Sequence, residues 1–346
     1  MTKQTVRLLL LLGVTLAGYS LARILNWEHA DSNPVYGVSV LVLLAIGLYG
    51  STYGIDLAKA REEIRLILAV VTVGVLLKSA LIGATIWLLT ADIRYLALGV
   101  VVAQIDPLSV ASILDDPRLS PRAKTILAAW ASFDDPMTVI LALFITPIVA
   151  QAAGVEVVDG AGSSWYGASG YILTTLTNIV FAGAGLLLWK FAAARPETIR
   201  TSLLAVLGAV AVWGRWMLGF ALIGLFYRPD IGRFIPAAVN LALMLSAFAS
   251  GLILVDGVSI MHGVLLGIAA FGSQVLIGWL LTIRLNRQDQ LHLSFAQQNG
   301  ITAIILGLLI EQQFPGTVAV VVPAIFTVNV LHLLSNSVID RRTAPL

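Results

Sequence analysis

Three aspartates lie inside apolar stretches of this chain: LALGVVVAQIDPLSVASIL at 96–114 contains Asp106, and AAWASFDDPMTVILAL at 128–143 contains Asp134 and Asp135. Apolar runs of about 20 residues recur along the chain, and each is long enough to cross a hydrocarbon core of about 30 Å. An ionised carboxylate at that depth is costly and indicates a functional site. The sequence therefore predicts a polytopic membrane protein whose chemistry lies within the bilayer.

The composition agrees with this class and excludes others. Of the 346 residues, 58% are hydrophobic and 12% are charged, whereas soluble domains carry roughly 25% charged residues. The absence of cysteine excludes disulfides, thiolate metal sites and cysteine nucleophiles, and the four histidines show no metal-ligand spacing. We expect no cofactor, no enzymatic activity, no nucleic-acid partner and no soluble regulatory domain within the chain.

The apolar segments predict an all-α polytopic fold of about twelve membrane-spanning helices. They run near 6–24, 36–57, 64–90, 94–114, 123–150, 168–191, 199–213, 216–228, 232–254, 257–282, 293–311 and 318–338. A single long helix in place of the seventh and eighth would leave eleven.

The placement of Lys and Arg predicts the orientation of these helices. Seventeen of the 21 basic residues, Arg7 among them, fall at one side of the twelve helices. Arg23, Arg94 and Arg215 fall at the other side, and Lys78 lies inside a helix. Because Lys and Arg accumulate on the cytoplasmic side, we expect a cell (inner) membrane protein with both termini in the cytoplasm and the acidic loop 151–167 outside.

Two of the helices are expected to break near the middle of the membrane. Pro107 follows Asp106, and the polar residues Gln298 and Asn299 precede Gly300 in another apolar span. Residues 36–114 also resemble 238–311 in layout, with LIGATIWLLT at 81–90 aligned to LIGWLLTIRL at 276–285. The offset of seven helices reverses orientation, so the repeat would be inverted, as in secondary transporters with broken helices.

Asp134 and Asp135 are expected to lie about 18 Å from the start of helix 123–150, beyond the reach of bulk water. Adjacent helical residues point about 100° apart, so the two carboxylates should face different neighbours. Pro136 frees the carbonyl of Ser132, an oxygen that could bind a hard cation. Lys78 lies about 18–21 Å from either end of its helix, and Asp134 or Asp135 is its expected partner.

These motifs resemble the monovalent cation:proton antiporter superfamily (sodium/proton exchanger-like), in a variant with an Asp-Asp pair. In that family a Thr-Asp-Pro-type break is followed by Asn-Asp or Asp-Asp in the next helix, and GLYGSTYGIDLAKAREEIR at 47–65 resembles another family segment. The resemblance implies exchange of sodium or potassium for protons by alternating access, in a lipid bilayer and as a homodimer. It also implies that Asp135 carries the ion and the proton, and that Asp134 and Asp135 bind the monovalent cation.

The resemblance further implies a division of the chain. Helices at about 64–150 and 257–338 would form the transport core, those at about 6–57 and 199–254 a dimer scaffold, and 168–191 a linker. The chain departs from the family at Ile105, where a Thr is expected, and has Trp130 and Asn299 where electroneutral members carry Glu and Arg. Gln274 occupies the usual position of a Lys, which suggests that Lys78 supplies the counter-charge instead.

Two other activities fit an apolar chain with intramembrane aspartates. A sodium-coupled organic-anion transporter could share the same architecture. An intramembrane aspartyl protease could use Asp106 and Asp135, since such enzymes share a proton between two carboxylates, although its glycine-rich surroundings are missing here. A member that no longer transports, acting as a sensor or subunit, is a further alternative.

Overall fold

The computed structural model describes residues 3–27, 30–55, 57–111, 113–114, 116–156, 168–298 and 300–343. Within these residues the chain is helical, and nine helical segments are long and apolar enough to cross a membrane. The helices are α1 (Lys3–Leu25), α2 (Pro34–Tyr53), α3 (Leu57–Glu62), α4 (Ile64–Ala69), α5 (Val75–Thr90), α6 (Tyr95–Val101), α7 (Pro107–Ala111), α8 (Pro121–Ala152), α9 (Ala168–Ala192), α10 (Glu197–Gly214), α11 (Met217–Ile223), α12 (Ile235–Ile253), α13 (Ile260–Leu281), α14 (Arg287–Ser294), α15 (Ile301–Glu311) and α16 (Thr317–Thr343).

Each of the twelve predicted segments contains helix, which confirms an all-α fold. A π-helical turn, Val70–Gly74, joins α4 to α5, so these elements form one span from Ile64 to Thr90. The predicted break after 199–213 is also present. It follows from Arg215, whose φ of 58° is left-handed and ends α10 at Gly214.

The predicted eighth helix, 216–228, was too long. The helix α11 covers Met217–Ile223, seven residues or about 10 Å, and turns continue this segment to Tyr227, whose hydroxyl donates to Arg200 O at the start of α10. The physical reason is a hydrogen bond from α2: Thr52 Oγ1 donates to the carbonyl of Ala221 at 2.7 Å. Leu225 N, which would bond that carbonyl in a longer α-helix, bonds Leu222 O instead.

The two predicted breaks in the membrane are both present, and they meet. Between α6 and α7 the backbone is extended, and Ile105 forms an antiparallel bridge with Gln298, which lies between α14 and α15. Asp106 N also donates to Gln297 O at 2.8 Å. This crossing pairs backbone groups that would otherwise be unsatisfied in a bilayer, which is how irregular backbone survives at that depth. Asn299 lies outside the described residues.

The order of elements agrees with an inverted repeat. A long helix, a second long helix, a broken helix and a further long helix occur at 34–152 and again at 235–343. The two broken helices cross antiparallel, as expected if one copy of the repeat is turned over relative to the other.

Close contacts between helices depend on glycine at two places. A Cβ on Gly18 of α1 would lie 2.2 Å from the carbonyl oxygen of Phe248 in α12. A Cβ on Gly99 of α6 would lie 2.5 Å from the backbone nitrogen of Gly83 in α5. Small residues allow membrane helices to approach and gain van der Waals contact, which is the main attraction between them in lipid. The first contact fixes α1 to α12, and the second fixes α6 to α5.

Candidate functional site

Asp134 of α8 forms a buried ion pair with Lys78 of α5. The Lys78 Nζ to Asp134 Oδ2 distance is 2.9 Å, and both side chains are fully buried. The ammonium also donates to Gln274 Oε1 at 3.1 Å, and the backbone N–H of Ile105 donates to the same carboxylate oxygen at 2.9 Å. A buried charge is tolerated when it is paired and hydrogen-bonded in this way.

The Lys78–Asp134 pair has an aromatic ring on one side and an unbonded carboxylate oxygen on the other. The ring centre of Trp130 lies 5.3 Å from Lys78 Nζ, within the range of a cation–π contact. The second carboxylate oxygen, Asp134 Oδ1, is buried and accepts no hydrogen bond of normal geometry from the described residues. Trp130 is also a neighbouring side-chain donor to the Asp134 carboxylate.

Asp135 points to a different neighbour, as the 100° offset between adjacent helical residues requires. Its Oδ2 accepts a hydrogen bond of 2.6 Å from Ser51 Oγ on α2, and both side chains are buried. Ser51 Oγ also lies 3.0 Å from Gly47 O in the preceding turn of α2. Within the residues that the structure describes, no Lys, Arg or His forms an ion pair with Asp135.

Asp106 is held at the crossing of the broken helices by a cation from the first helix. Arg7 Nη1 of α1 donates to Asp106 Oδ2 at 2.6 Å, and it donates to Ser109 Oγ at 2.8 Å. Ser109 and the backbone N–H of Leu108 also donate to the Asp106 carboxylate. The side chain of Arg7, which the charge pattern assigns to the cytoplasmic end, is three-quarters buried, with 23% exposed.

The charges of the site do not cancel. Three buried carboxylates, those of Asp106, Asp134 and Asp135, face two cations, Arg7 and Lys78, in the described part of the chain. Arg7 pairs with Asp106 and Lys78 pairs with Asp134. One carboxylate, Asp135, is left with neutral hydrogen-bond donors, so a proton or a cation is required to balance it when it is buried.

A cavity of about 320 Å³ leads towards this third carboxylate. It is bordered by α2, α7, α8, α12 and the start of α15, and its walls include Ser51, Ser132, Ala131, Pro107 and Gly232. The helix ends around it, at Tyr53 and Gly232, adjoin the basic loops of the chain. The cavity therefore opens on the side that the charge pattern predicts to be cytoplasmic.

The loops near this cavity are held by ion pairs and caps. Arg118 donates two side-chain hydrogen bonds to Asp116, which lowers the pKa of that carboxyl to about 2. Asp289 of α14 accepts from the backbone and side chain of Ser120, the N-cap of α8. The second contact ties the start of α8 to the second broken helix.

The predicted site residues have different surroundings in the structure. Gln274 joins the Lys78–Asp134 pair, and Ser132 lines the cavity. Gln298 is buried at the crossing, and both of its side-chain polar atoms lack hydrogen-bond partners among the described residues. Asn299 is outside the described residues.

Two residues at the site were missed from the sequence. Ser51 lies in GLYGSTYG, part of a segment noted only for its resemblance to a family segment, and Arg7 lies at the edge of the first apolar run. An unpaired carboxylate requires a donor, and a buried aspartate requires a cation, but neither rule identifies the partner without the tertiary contacts. A polar residue in the last turn of an apolar helix was the signal available for Ser51.

Comparisons with known proteins agree with this architecture. The family model described as "Sodium/hydrogen exchanger, transmembrane" matches residues 4–226. The sodium proton antiporter MjNhaP1 from Methanocaldococcus jannaschii, in a structure at pH 8, is similar with 15% identity and a TM-score of 0.70 over 94% of this chain and 91% of that one. An electron-microscopy structure of the same antiporter gives 15% identity and a TM-score of 0.63 over 94% and 88%. At this identity the two structures show a common fold. No curated protein sequence matches the chain significantly.

Proposed function

This chain belongs to the sodium/hydrogen exchanger family and is a membrane transporter that exchanges a monovalent cation for protons, and we propose that Asp135 is the residue that carries them. The observation that carries the proposal is the charge balance at the site. Asp135 is the buried carboxylate left without a cationic partner in the described residues, and its hydrogen-bond partner Ser51 lines the cavity. The exchange requires no cofactor, since the cation and the protons are its substrates.

Coupling follows from competition for one carboxylate. A protonated Asp135 is neutral and offers little attraction to a cation, and a cation at the ionised carboxylate excludes the proton. Because a bare charge is costly inside the membrane, the site crosses only in one of its two neutral forms. The gradients of the two ions then supply the direction.

Ser51 serves both forms of the carrier. When Asp135 is ionised, the Ser51 hydroxyl donates to it, as in the observed contact of 2.6 Å. When Asp135 is protonated, its own O–H can donate to Ser51 Oγ, and the hydroxyl hydrogen of Ser51 turns to Gly47 O, which is 3.0 Å away. The hydroxyl is therefore satisfied with either form of the carrier in the conformation that the structure shows.

Other oxygens near Asp135 can complete the coordination of a dehydrated cation. Asp134 Oδ1 has no hydrogen-bond partner in the described residues, and Ser132 borders the cavity. Hard cations prefer such carboxylate and carbonyl oxygens. Lys78 and Gln274 keep Asp134 in place and balance its charge, which leaves Asp135 to change its state.

Alternating access requires a moving part and a fixed part. Helices at 64–150 and 257–338 are proposed as the moving core, those at 6–57 and 199–254 as the scaffold and dimer contact, and 168–191 as the linker. The cavity supports this division, since α2 and α12 border it on one side and α7 and α8 on the other. We place the protein as a homodimer in the cell (inner) membrane, with both termini in the cytoplasm.

The alternative activities find no support at the site. Aspartyl proteases need two carboxylates that share a proton. Asp106 and Asp135, the two candidates, are bonded instead to Arg7 and Ser51. The family match likewise favours cation exchange over organic-anion transport.

The proposal is tested with purified protein in liposomes that contain a pH-sensitive dye. Adding sodium or potassium should release protons in wild type, and Asp135→Asn should abolish this, because an amide of nearly the same size exchanges no proton at working pH. Asp116→Asn, the same change in a loop outside the site, is the matched control and should retain exchange. If Asp135→Asn keeps more than about a tenth of wild-type exchange, the carrier is another group, with Asp106 next.

A further inference from the structure

The contact between Arg7 and Asp106 joins two parts of the molecule that the transport cycle separates. Arg7 belongs to α1, and the close approach of Gly18 to Phe248 fixes that helix to α12 in the proposed scaffold. Asp106 lies on the broken helix of the proposed core, where its backbone N–H is bonded to Gln297 O. An ion pair of 2.6 Å thus crosses the boundary at which the core would slide.

Asp106 cannot easily find another cation in this position. Its Oδ1 lies against Gly300, where even an added Cβ would come within 2.2 Å, and the carboxylate is 1% exposed. Without Arg7, the neighbouring groups are the Ser109 hydroxyl, one backbone N–H and the buried imidazole of His332, whose burial opposes its charging, so none of them cancels a buried charge. In this conformation Arg7 neutralises Asp106 in the way that a bound cation would.

The geometry of the contact is that of a link that can open. Arg7 uses a single nitrogen, Nη1, for both Asp106 and Ser109, and its buried Nε has no hydrogen-bond partner among the described residues. A guanidinium that grips a carboxylate with two parallel hydrogen bonds is held more strongly than this. The Arg7 side chain is also 23% exposed, so the protein does not fully enclose it.

We propose that Arg7 is a positioning residue of the exchange cycle: a cation fixed to the scaffold that neutralises Asp106 while the cavity is open towards the basic loops, and that releases it when the core moves. This rests on the proposed function and on the proposed division into core and scaffold. The link favours the conformation with that cavity open. The core can move only if this ion pair breaks, and binding of an ion at Asp135 does not by itself break it.

The experiment uses the natural absence of cysteine in the chain. Ala128 lines the cavity, so Ala128→Cys gives a single thiol whose reaction with a membrane-impermeant maleimide, added to inverted membrane vesicles, reports how often the cavity is open. In this background Arg7→Gln should slow labelling by up to about tenfold, the full shift in the equilibrium expected when a hydrogen bond to a charged group is lost. Arg7→Lys should restore most of the rate, because a cation is again present.

Matched variants separate this role from a general effect on folding. Arg23→Gln removes an exposed arginine from the other end of α1 and should label at the wild-type rate. Asp106→Asn should slow labelling as Arg7→Gln does, and the double variant should be no slower than either single one. Size-exclusion profiles show which variants fold. If Arg7→Gln does not fold, the comparison of Arg7→Lys with Asp106→Asn decides the question in its place.

Two outcomes overturn the inference: equal labelling rates for Arg7→Gln and Arg23→Gln, or effects of Arg7→Gln and Asp106→Asn that multiply in the double variant. The carrier role of Asp135 is tested independently, by measuring proton release with the Asp135→Asn variant in the same background. If Asp135→Asn still exchanges ions but labelling depends on Arg7, the carrier assignment fails and the link stands. If Asp135→Asn loses exchange but the labelling rate does not depend on Arg7, the carrier assignment stands and the proposed role of the Arg7–Asp106 link fails.

Discussion

Removing one partner of the Lys78–Asp134 pair should destabilise the protein far more than removing both. At 2.9 Å, with both side chains fully buried, the attraction is about 6 kcal/mol for an effective dielectric constant of about 20. Desolvation of the two charges offsets much of that gain, so the net value of the intact pair is small. A single substitution exposes the full penalty of the charge that remains, about 3–5 kcal/mol.

Lys78→Met leaves the Asp134 carboxylate with the N–H of Ile105 as its remaining donor of good geometry. Asp134→Asn leaves the ammonium with Gln274 Oε1 and the ring of Trp130. Each single variant should therefore lose about 3–5 kcal/mol of unfolding free energy, and the double variant should recover much of it. The measurement is reversible unfolding in mixed micelles, completed as a double-mutant cycle, with Lys190→Met at the exposed end of α9 as control.

The cycle can refute this reasoning. For the double variant to be more stable than either single one, the coupling energy must exceed one single loss, that is more than about 3–5 kcal/mol. If the two losses add to within about 0.5 kcal/mol, the residues act independently. Lys78 would then be a residue that lines a hydrated space, and its proposed role as the relocated counter-charge would have to be abandoned.

Ser51→Ala should raise the half-saturating cation concentration in the liposome assay by about tenfold or more, because the ionised carrier loses a charge-assisted hydrogen bond. The control variant Ser246→Ala, which removes a buried hydroxyl from α12, should leave that concentration unchanged. Gly18→Val should lower the free energy of unfolding by about 1–3 kcal/mol or more, because the added side chain overpacks against α12. Gly13→Val in the same helix has open space around it and should be tolerated. Thermal unfolding in detergent measures both. A single cysteine placed within 157–167 should react with an impermeant reagent in intact cells; reaction in inverted vesicles alone would contradict the orientation derived from the basic residues.

Much of the fold could be read from local features. Hydrophobic length predicts where helices lie, because a bilayer demands about 20 apolar residues for each crossing. Pro107 and the polar residues before Gly300 predicted the two breaks, because proline removes a hydrogen bond and polar groups in lipid need partners. The length of α11 could not be predicted, because the helix ends where Thr52, more than 160 residues earlier, takes one of its carbonyls.

Some features of the candidate site could likewise be predicted from the sequence, and others depended on the tertiary structure. Sequence alone identified the three intramembrane aspartates and Lys78, because ionisable groups in an apolar helix are rare and costly. The helical offset of 100° also implied that Asp134 and Asp135 would face different neighbours. Which cation belongs to which carboxylate depended on packing: Arg7 reaches Asp106 only because α1 lies along α12 near the crossing. Charge and an apolar context are properties of local sequence, but the pairing of charges is a matter of distances between remote segments, and those exist only once the chain has folded.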